Sequence, residues 1–525
     1  MKRRFLPVLV LTAAVAIPTL ATQTVAGQSP AVTFNRDVAP ILYANCVTCH
    51  RPGESAPMAL GTFEEARPFA RAIKDKVVSR QMPPWSADRT VGHFTNDPSL
   101  SQQQIDTITR WVDSGAAEGD AADLPPAPTF TDGWQLGEPD FVVELPEVQI
   151  PARGRDIFVT PIVPLNLTED RWIRAVEVRP SNRAVSHHAV FFAGGTGILS
   201  GANVANVLAV WAVGTPPTTY PDGMGRWLRK GQAITSNLHY HPNGTATTDR
   251  MRLGFYFGKG ELKKEVVTGV GGNVTFEIPP NTAGYELHGV YVADQDVTAI
   301  SFFPHMHVRG TDMKMTATFP NGKQQVLLNV PRYDFNWQLF YYPVTPVSLP
   351  RGTRVDVVAH YDNTAANRSN PNPNKRVTFG ETTADEMMFG TFEFIAKEGV
   401  SPRKPDDRMR LGVIMSSFSP KASYLVTAPS MLGNMNSGLY LPKSGDGVWY
   451  LAIQPGVIID VPVHYIAWSD NAFSFIADLK LGGLGAQMQV SGTVSPDGSI
   501  SGTVAAPPRG LVPFRAFAGS RLAAR

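Results

Sequence analysis

The rhythm of apolar and polar positions changes along this chain. Residues 5–20 are almost unbroken apolar, behind the basic trio Lys2, Arg3 and Arg4 and ahead of a run of small residues. Pro18 interrupts the run. This predicts a signal peptide over 1–26, cleaved after Ala21 or Ala26, rather than an anchor helix. The next hundred residues carry helical spacing. Residues 35–45 fit a short helix. Ser101 precedes Ile105, Ile108, Trp111 and Val112, with Gly115 at the end, which predicts an N-capped helix. Residues 116–140 are small, acidic and Pro-rich and read as a linker. Beyond them no helical period is sustained. Stretches 171–178, 185–192, 251–257, 313–319 and 324–330 read as strands, and Pro320-Asn321-Gly322-Lys323 is a hairpin signal. Further on, 448–453, 457–466, 473–479 and 487–494 are strand-like, with a turn at Asp497-Gly498. The pattern predicts a multidomain, mainly β chain: a small α-helical domain, then two or more antiparallel β-sandwiches.

Composition agrees. At roughly 100–200 residues per domain, 525 residues predict several domains. Gly 46 and Pro 44, with only 18% charged residues, suit many short strands and turns. Lys+Arg 47 against Asp+Glu 45 gives a net charge of +2; losing Lys2, Arg3 and Arg4 leaves 44 − 45 = −1. No basic run offers a footprint for nucleic acid. No later stretch approaches the roughly 20 apolar residues of a membrane span. The expected product is periplasmic or secreted.

The two cysteines stand in Cys46-Val47-Thr48-Cys49-His50. C-x-x-C-H is the attachment signature of a c-type haem: two thiols add to the porphyrin vinyl groups and the adjacent His50 ligates iron. A zinc site would need a second pair of ligands nearby, and a redox dithiol a preceding strand. Residues 30–120 resemble the cytochrome c family, whose last helix often carries a Trp, here Trp111. The sixth iron ligand should be a thioether or imidazole. Met82, on the Pro-stiffened loop Gln81-Met82-Pro83-Pro84-Trp85, is the first choice, with Met58 and His93 as alternatives.

Of 11 histidines, six fall in His187-His188, His239-Tyr240-His241 and His305-Met306-His307. H-x-H on a strand points both imidazoles to one face, as two ligands of one metal require. An adjacent pair diverges on a regular strand, so His187-His188 needs a bulge or strand end. With no thiolate left over and a thioether within reach, copper suits the set. His93, His288, His360 and His464 read as structural.

Four segments together resemble the copper type II, ascorbate-dependent monooxygenases, the family of peptidylglycine alpha-hydroxylating and dopamine beta-monooxygenase. They are Ser186-His187-His188-Ala189, Leu238-His239-Tyr240, His305-Met306-His307 and Thr382-Thr383-Ala384-Asp385-Glu386-Met387. The resemblance covers roughly 140–398. It implies two jelly-roll-like β domains, 141–268 and 269–398, facing across a water-filled cleft, with 399–525 an accessory β domain and 121–140 the linker. It implies two copper ions. One, for electron transfer, would be held by His187, His188 and His239, with His241 a possible alternate. The other, binding dioxygen beside the substrate, would be held by His305, His307 and Met387, with Met388 facing away. It implies hydroxylation of an sp³ C–H bond, fed by two electrons from an ascorbate-like donor or a periplasmic cytochrome.

Two departures matter. The peptide-amidating relatives clamp a substrate carboxylate with an Arg, an Asn and a Tyr where this sequence has Phe303, Phe389 and Thr391. Phenylalanine cannot bind a carboxylate, so a small apolar or aromatic substrate is expected instead of a peptidylglycine. The fused haem domain expects electrons to arrive through the one covalently bound haem c and pass to the three-His copper. The rival expectation is a periplasmic electron-transfer or copper-binding protein on the same scaffold, without hydroxylation. A haem protein with a metal-free β adhesion module would leave the histidine clusters unexplained.

Overall fold

The computed structural model describes residues 31–54, 56–131, 133–194, 207–212, 214–380, 382–396, 405–430, 433–454, 457–481, 484–505 and 514–523. The expected signal peptide lies outside them. The chain is multidomain and mainly β, with a small helical region at its start. Among the described residues, no helix is long and apolar enough to cross a membrane.

The helical region is built as its pattern requires. A π-helical turn, Phe34–Val38, runs into the helix Ala39–Asn45, which delivers the cysteine motif. Ser101 caps the helix Gln102–Asp113: its side chain accepts from the Gln104 N–H, and the Gln104 side chain returns to the Ser101 N–H. Ile105, Ile108 and Trp111 bury one stripe against Phe34, Val38 and Leu42. A helical stretch from Phe63 to Val78, not anticipated, closes the bundle.

The two sandwiches are not separate. A nine-stranded sheet runs Phe141–Glu144, Arg252–Phe257, Arg171–Arg179, Met224–Leu228, Lys264–Asn273, Met388–Ala396, Val297–Met306, Val347–Leu349, with Thr218–Thr219 beside Arg171–Arg179. Its first half covers the sheet that carries Ser186–Gly194 and Ala233–Tyr240. Its second half covers the four strands Tyr285–Val292, Arg354–Tyr361, Gly310–Thr318 and Gln324–Val330. The halves join where Lys264–Asn273 pairs in parallel with Met224–Leu228, through Lys264↔Met224 and Glu265↔Gly225. The expected boundary at 268/269 therefore falls inside one strand that belongs to both sandwiches. Its glycines at 269, 271 and 272 look like a break in sequence, but the strand runs through them.

Two further regions are more ordered than their patterns suggest. The linker is pinned at its end: Gln135 and Leu136 donate backbone N–H to Glu177, and Trp134 lies under Arg179 and Arg252. The C-terminal region is a closed barrel of eight antiparallel strands from Ser423–Ser430 to Ala516–Arg521, filled by Trp449, Phe475, Phe514 and Phe517 among others. Before it stands a helix, Asp407–Met415, capped by Asp406. Its apolar run Leu411 to Met415 looks strand-like in sequence.

A buried charge pair sits at the join. Arg226 Nη2 lies 2.9 Å from Glu393 Oε1; Tyr220 and Ser301 hydroxyls also donate to Glu393, at 2.7 and 2.8 Å. Arg226 also reaches Thr268. Removing one partner strands a buried charge, which costs about 3–5 kcal/mol, whereas replacing both with apolar residues costs much less. We expect Glu393→Ala to lower the denaturation midpoint strongly and the Arg226→Met/Glu393→Leu double variant to recover most of it in urea titrations.

Candidate functional site

The first histidine cluster is made by a bulge. On paired strands Ser186–Gly194 and Ala233–Tyr240, His188 faces His239 while Ser186 faces Tyr240. His187 is the extra residue, so adjacent histidines turn to the same side, as their spacing required. His187 Nδ1 lies 3.1 Å from His188 Nδ1, which lies 3.4 Å from His239 Nδ1. With metal–nitrogen bonds of about 2.0–2.1 Å, tetrahedral ligand nitrogens sit about 3.3 Å apart, so the trio fits one ion. The three residues are a group that could hold a metal.

His239 and His241 are distinguished by Asp156, which the sequence reading overlooked. His239 Nε2 lies 2.7 Å from Asp156 Oδ2, and the exposed His241 lies 2.7 Å through Nδ1 from Asp156 Oδ1. The carboxylate claims the His239 Nε2–H and leaves Nδ1 for the cluster. His241 stands outside the trio. Its sequence position two residues on does not keep it on the face, because the strand ends at Tyr240. The His239 hydrogen bond, seconded by His241, holds Asp156 down at about 2 despite its burial.

The second cluster lies at the end of Val297–Met306, beside Met388–Ala396, with His305 opposite Phe389. The rings of His305 and His307 are 5.4 Å apart and perpendicular. His305 Nδ1 meets Gln338 Oε1 at 2.7 Å and His307 Nδ1 meets the Asp385 carbonyl at 3.3 Å, which leaves both Nε2 atoms for a metal. Met387 lines the same pocket as His305 and His307. Met388 faces the opposite core, as the strand alternation demands. Glu386 ties the pieces together: its buried carboxyl accepts the backbone N–H groups of His307, Arg309 and Met387, at 2.8, 2.7 and 3.2 Å. Burial nonetheless pushes Glu386 up to about 8. It stood in the Asp-Glu-Met segment, but its role could not be read there.

The resemblance implied a water-filled cleft between the clusters. At Gln338 and Phe335 the gap is closed, while beside them a groove of about 1290 Å³ is lined by Asp156, His239 and Thr382 to Ala384. Gln338 touches His305 through Oε1 and lies 3.3 Å through Nε2 from His188 Nε2. Phe335 stacks edge-on to His188 and His307, with centroids 5.0 and 5.9 Å away. The pocket between them holds only about 50 Å³ and is walled by His188, His305, His307, Met387, Phe303 and Phe389, with Val190 and Phe192 behind.

In the helical region, His50 Nδ1 lies 3.1 Å from the Met58 carbonyl, which leaves Nε2 for iron. Cys46 and Cys49 are free thiols, and burial pushes Cys46 up to about 12. These residues fit a covalent haem. The candidates for a sixth iron ligand are Met82, Met58 and His93. Met58 packs against the core of the helical region, with its carbonyl at the His50 ring. His93 is exposed and its carbonyl accepts from Val344 of the second sandwich. Met82 lines a groove of about 1290 Å³ with Asp156 and His239, and His50 is not among that groove's walls.

The helical region docks on both sandwiches. Glu54 Oε1 accepts from Arg51 at 2.6 Å and from Arg183, just before His187, at 2.7 Å. Gly214, at φ 82°, lies against Cys49; a Cβ there would stand 2.6 Å from Sγ. Gly214 follows the strand in which Ala212 pairs with His188. Trp85 packs on Tyr341 at 4.8 Å.

No family model matches this chain, and no curated protein matches it. Among solved structures it is similar to the structure of infectious bursal disease virus Gx strain, 11% identical over 50% of this chain and 75% of that chain, with a TM-score of 0.15. A likeness that slight carries no argument.

Two outcomes are expected. Asp156→Ala removes the acceptor that orients His239 and should weaken metal binding at the first cluster by about 10–100-fold in competitive titration. Burial lowers His187 and His305 to about 4 and His307 to about 3, from 6.5. The unfolded chain takes up these protons near 6.5 and the folded chain does not, so stability is full above about 6.5 and falls as pH drops toward 4. The metal-free chain should melt lower at pH 5 than at pH 7, and a His305→Gln variant should show a smaller difference.

Proposed function

We propose that this chain is an exported copper-dependent monooxygenase with its own c-type haem, hydroxylating an sp³ C–H bond of a small apolar or aromatic substrate. One observation carries the reading: a single apolar pocket has His188 of the first cluster on one wall and His305, His307 and Met387 on the other. The net reaction takes a C–H bond, dioxygen, two electrons and two protons to an alcohol and water. Bound copper would supply dioxygen activation and one-electron storage, and bound haem one-electron delivery.

The chain's own residues supply the rest. Burial keeps His187, His188, His305 and His307 neutral, the form that ligates. Asp156, Gln338 and the Asp385 carbonyl fix which ring nitrogen faces inward. Glu386 holds the two arms of the second cluster in register. Phe303 and Phe389 make the walls apolar and offer no partner for a carboxylate. The cysteine motif packs beside the strand pair that carries His188, which supports a short route for electrons from haem to the first cluster.

One observation favours the rival reading. A cavity of about 50 Å³ is a third of the ~150 Å³ that accommodates benzene. An electron-transfer protein needs no more room; a hydroxylase must displace Phe335 or Phe389 when substrate enters.

The deciding experiment uses chain exported by a host that matures cytochrome c, supplied with copper. Two coppers per haem, and oxygen-dependent hydroxylation of ethylbenzene that Met387→Ala abolishes while haem reduction survives, are the expected results. A glycine-extended peptide should not turn over. One copper per haem, or no product with any apolar probe, would favour the electron-transfer reading; haem without copper would leave only the cytochrome.

A further inference from the structure

A second groove, of about 710 Å³, lies between the haem-attachment loop and the first sandwich. Thr48, Arg51 and Glu54 form one wall, Thr129, Phe130 and Thr131 of the connecting segment another, and Arg179, Arg183 and Trp211 the third. Its charge is unbalanced in a particular way. Glu54 is taken by Arg51 and Arg183. Glu177 is taken by the Gln135 and Leu136 backbone N–H groups and the Tyr256 hydroxyl. Arg179 makes no carboxylate pair among the described residues, and its buried Nε and Nη1 have no hydrogen-bond partner. Arg51 Nη1 is likewise buried and unpartnered. Leaving buried guanidinium donors unmet is costly, and a carboxylate is the planar acceptor that their fork matches. Both guanidinium groups are also held by aromatic faces: Arg51 lies 3.7 Å over Phe130 and Arg179 lies 5.3 Å over Trp134. Stacking fixes a plane and leaves the edge donors to be satisfied in it.

We propose that this groove binds a carboxylate through Arg51 and Arg179. Two sources share that chemistry. One is a propionate of the haem attached at Cys46 and Cys49, an assignment that rests on the haem reading above. The other is a free, small organic acid, seated where it touches the haem-attachment loop and the first sandwich together.

The test uses the full haem- and copper-loaded chain, with malonate as the free probe. Arg179→Gln, Arg179→Lys and Arg51→Gln are compared with the parent by calorimetry and by the haem midpoint potential, after circular dichroism shows that each is folded. Because Arg51 and Arg179 lie on different parts of the fold, loss of one variant leaves the other informative. If a propionate fills the groove, malonate does not bind, the potential falls in Arg179→Gln and Arg51→Gln, and Arg179→Lys restores part of it. If the ligand is a free acid, malonate binds the parent, both glutamine variants weaken it at least tenfold, and the potential does not move. Malonate binding that is equal in all four proteins, or no binding with one unchanged potential, overturns the proposal. A chain that lacks haem absorbance sinks the haem reading instead, and malonate binding then decides the groove alone.

Discussion

The parallel pairing of Met224–Leu228 with Lys264–Asn273 makes one sheet out of two sandwiches, and the position of each histidine cluster depends on it. The first cluster stands on the sheet facing one half; the second stands in the other half, on Val297–Met306. Two domains joined only by a linker could rock apart by several ångströms. A shared ladder of hydrogen bonds resists that, and the buried Arg226–Glu393 pair lies at the same join. A charge pair is a poor source of stability, since desolvation offsets most of its attraction, yet it penalises every misaligned register. The join trades stability for geometry.

Much of this was legible in sequence because it rests on local rules. The period of two placed the strands, and a missing period of 3.6 excluded helices from most of the chain. The adjacent histidines demanded a bulge, and His187 is the bulged residue. Ser101, four residues ahead of Ile105, marked a helix start, and the capping box is there. What was not legible is what depends on partners far along the chain. Asp156 lies 83 residues from His239, and Gln338 lies 150 from His188. Neither sits in a motif. The shared strand escaped notice because Gly269-Val270-Gly271-Gly272 looks like an interruption, whereas these glycines make room for Phe392, Val357 and Phe389 within a continuous strand. The closed barrel escaped because strand counting cannot tell whether the last strand finds the first.

Electrostatics at the paired clusters follow from burial more than from charge. His188, His305 and His307 are all pushed down by desolvation before any neighbour acts. The one carboxylate that touches an imidazole of the trio, Asp156, sits at the rim, where water can share its charge. Glu386, which is buried, points its oxygens at backbone N–H groups rather than at a ring. Around His188, His305 and His307 the interior is thus left with neutral ligands and no fixed counter-charge. Such a site favours the lower charge of a bound ion, and so the more reduced state of a redox metal.

Gln338 carries the consequence of that arrangement across the junction. If His188 turns Nδ1 to a metal, its Nε2 bears the proton and faces Gln338. If His305 turns Nε2 to a metal, its Nδ1 bears the proton and faces Gln338 as well. The amide has one acceptor oxygen and one donor nitrogen for these two edges. Its oxygen serves His305, at 2.7 Å, so its nitrogen meets His188, at 3.3 Å. That second contact is good only while His188 keeps a bare Nε2, the tautomer that does not offer Nδ1. Filling both clusters through these nitrogens would leave a donor facing a donor in a buried place, so Gln338 could not keep both contacts as they stand. The Gln338 contacts as they stand and metal at both clusters therefore ask opposite things of the His188 ring.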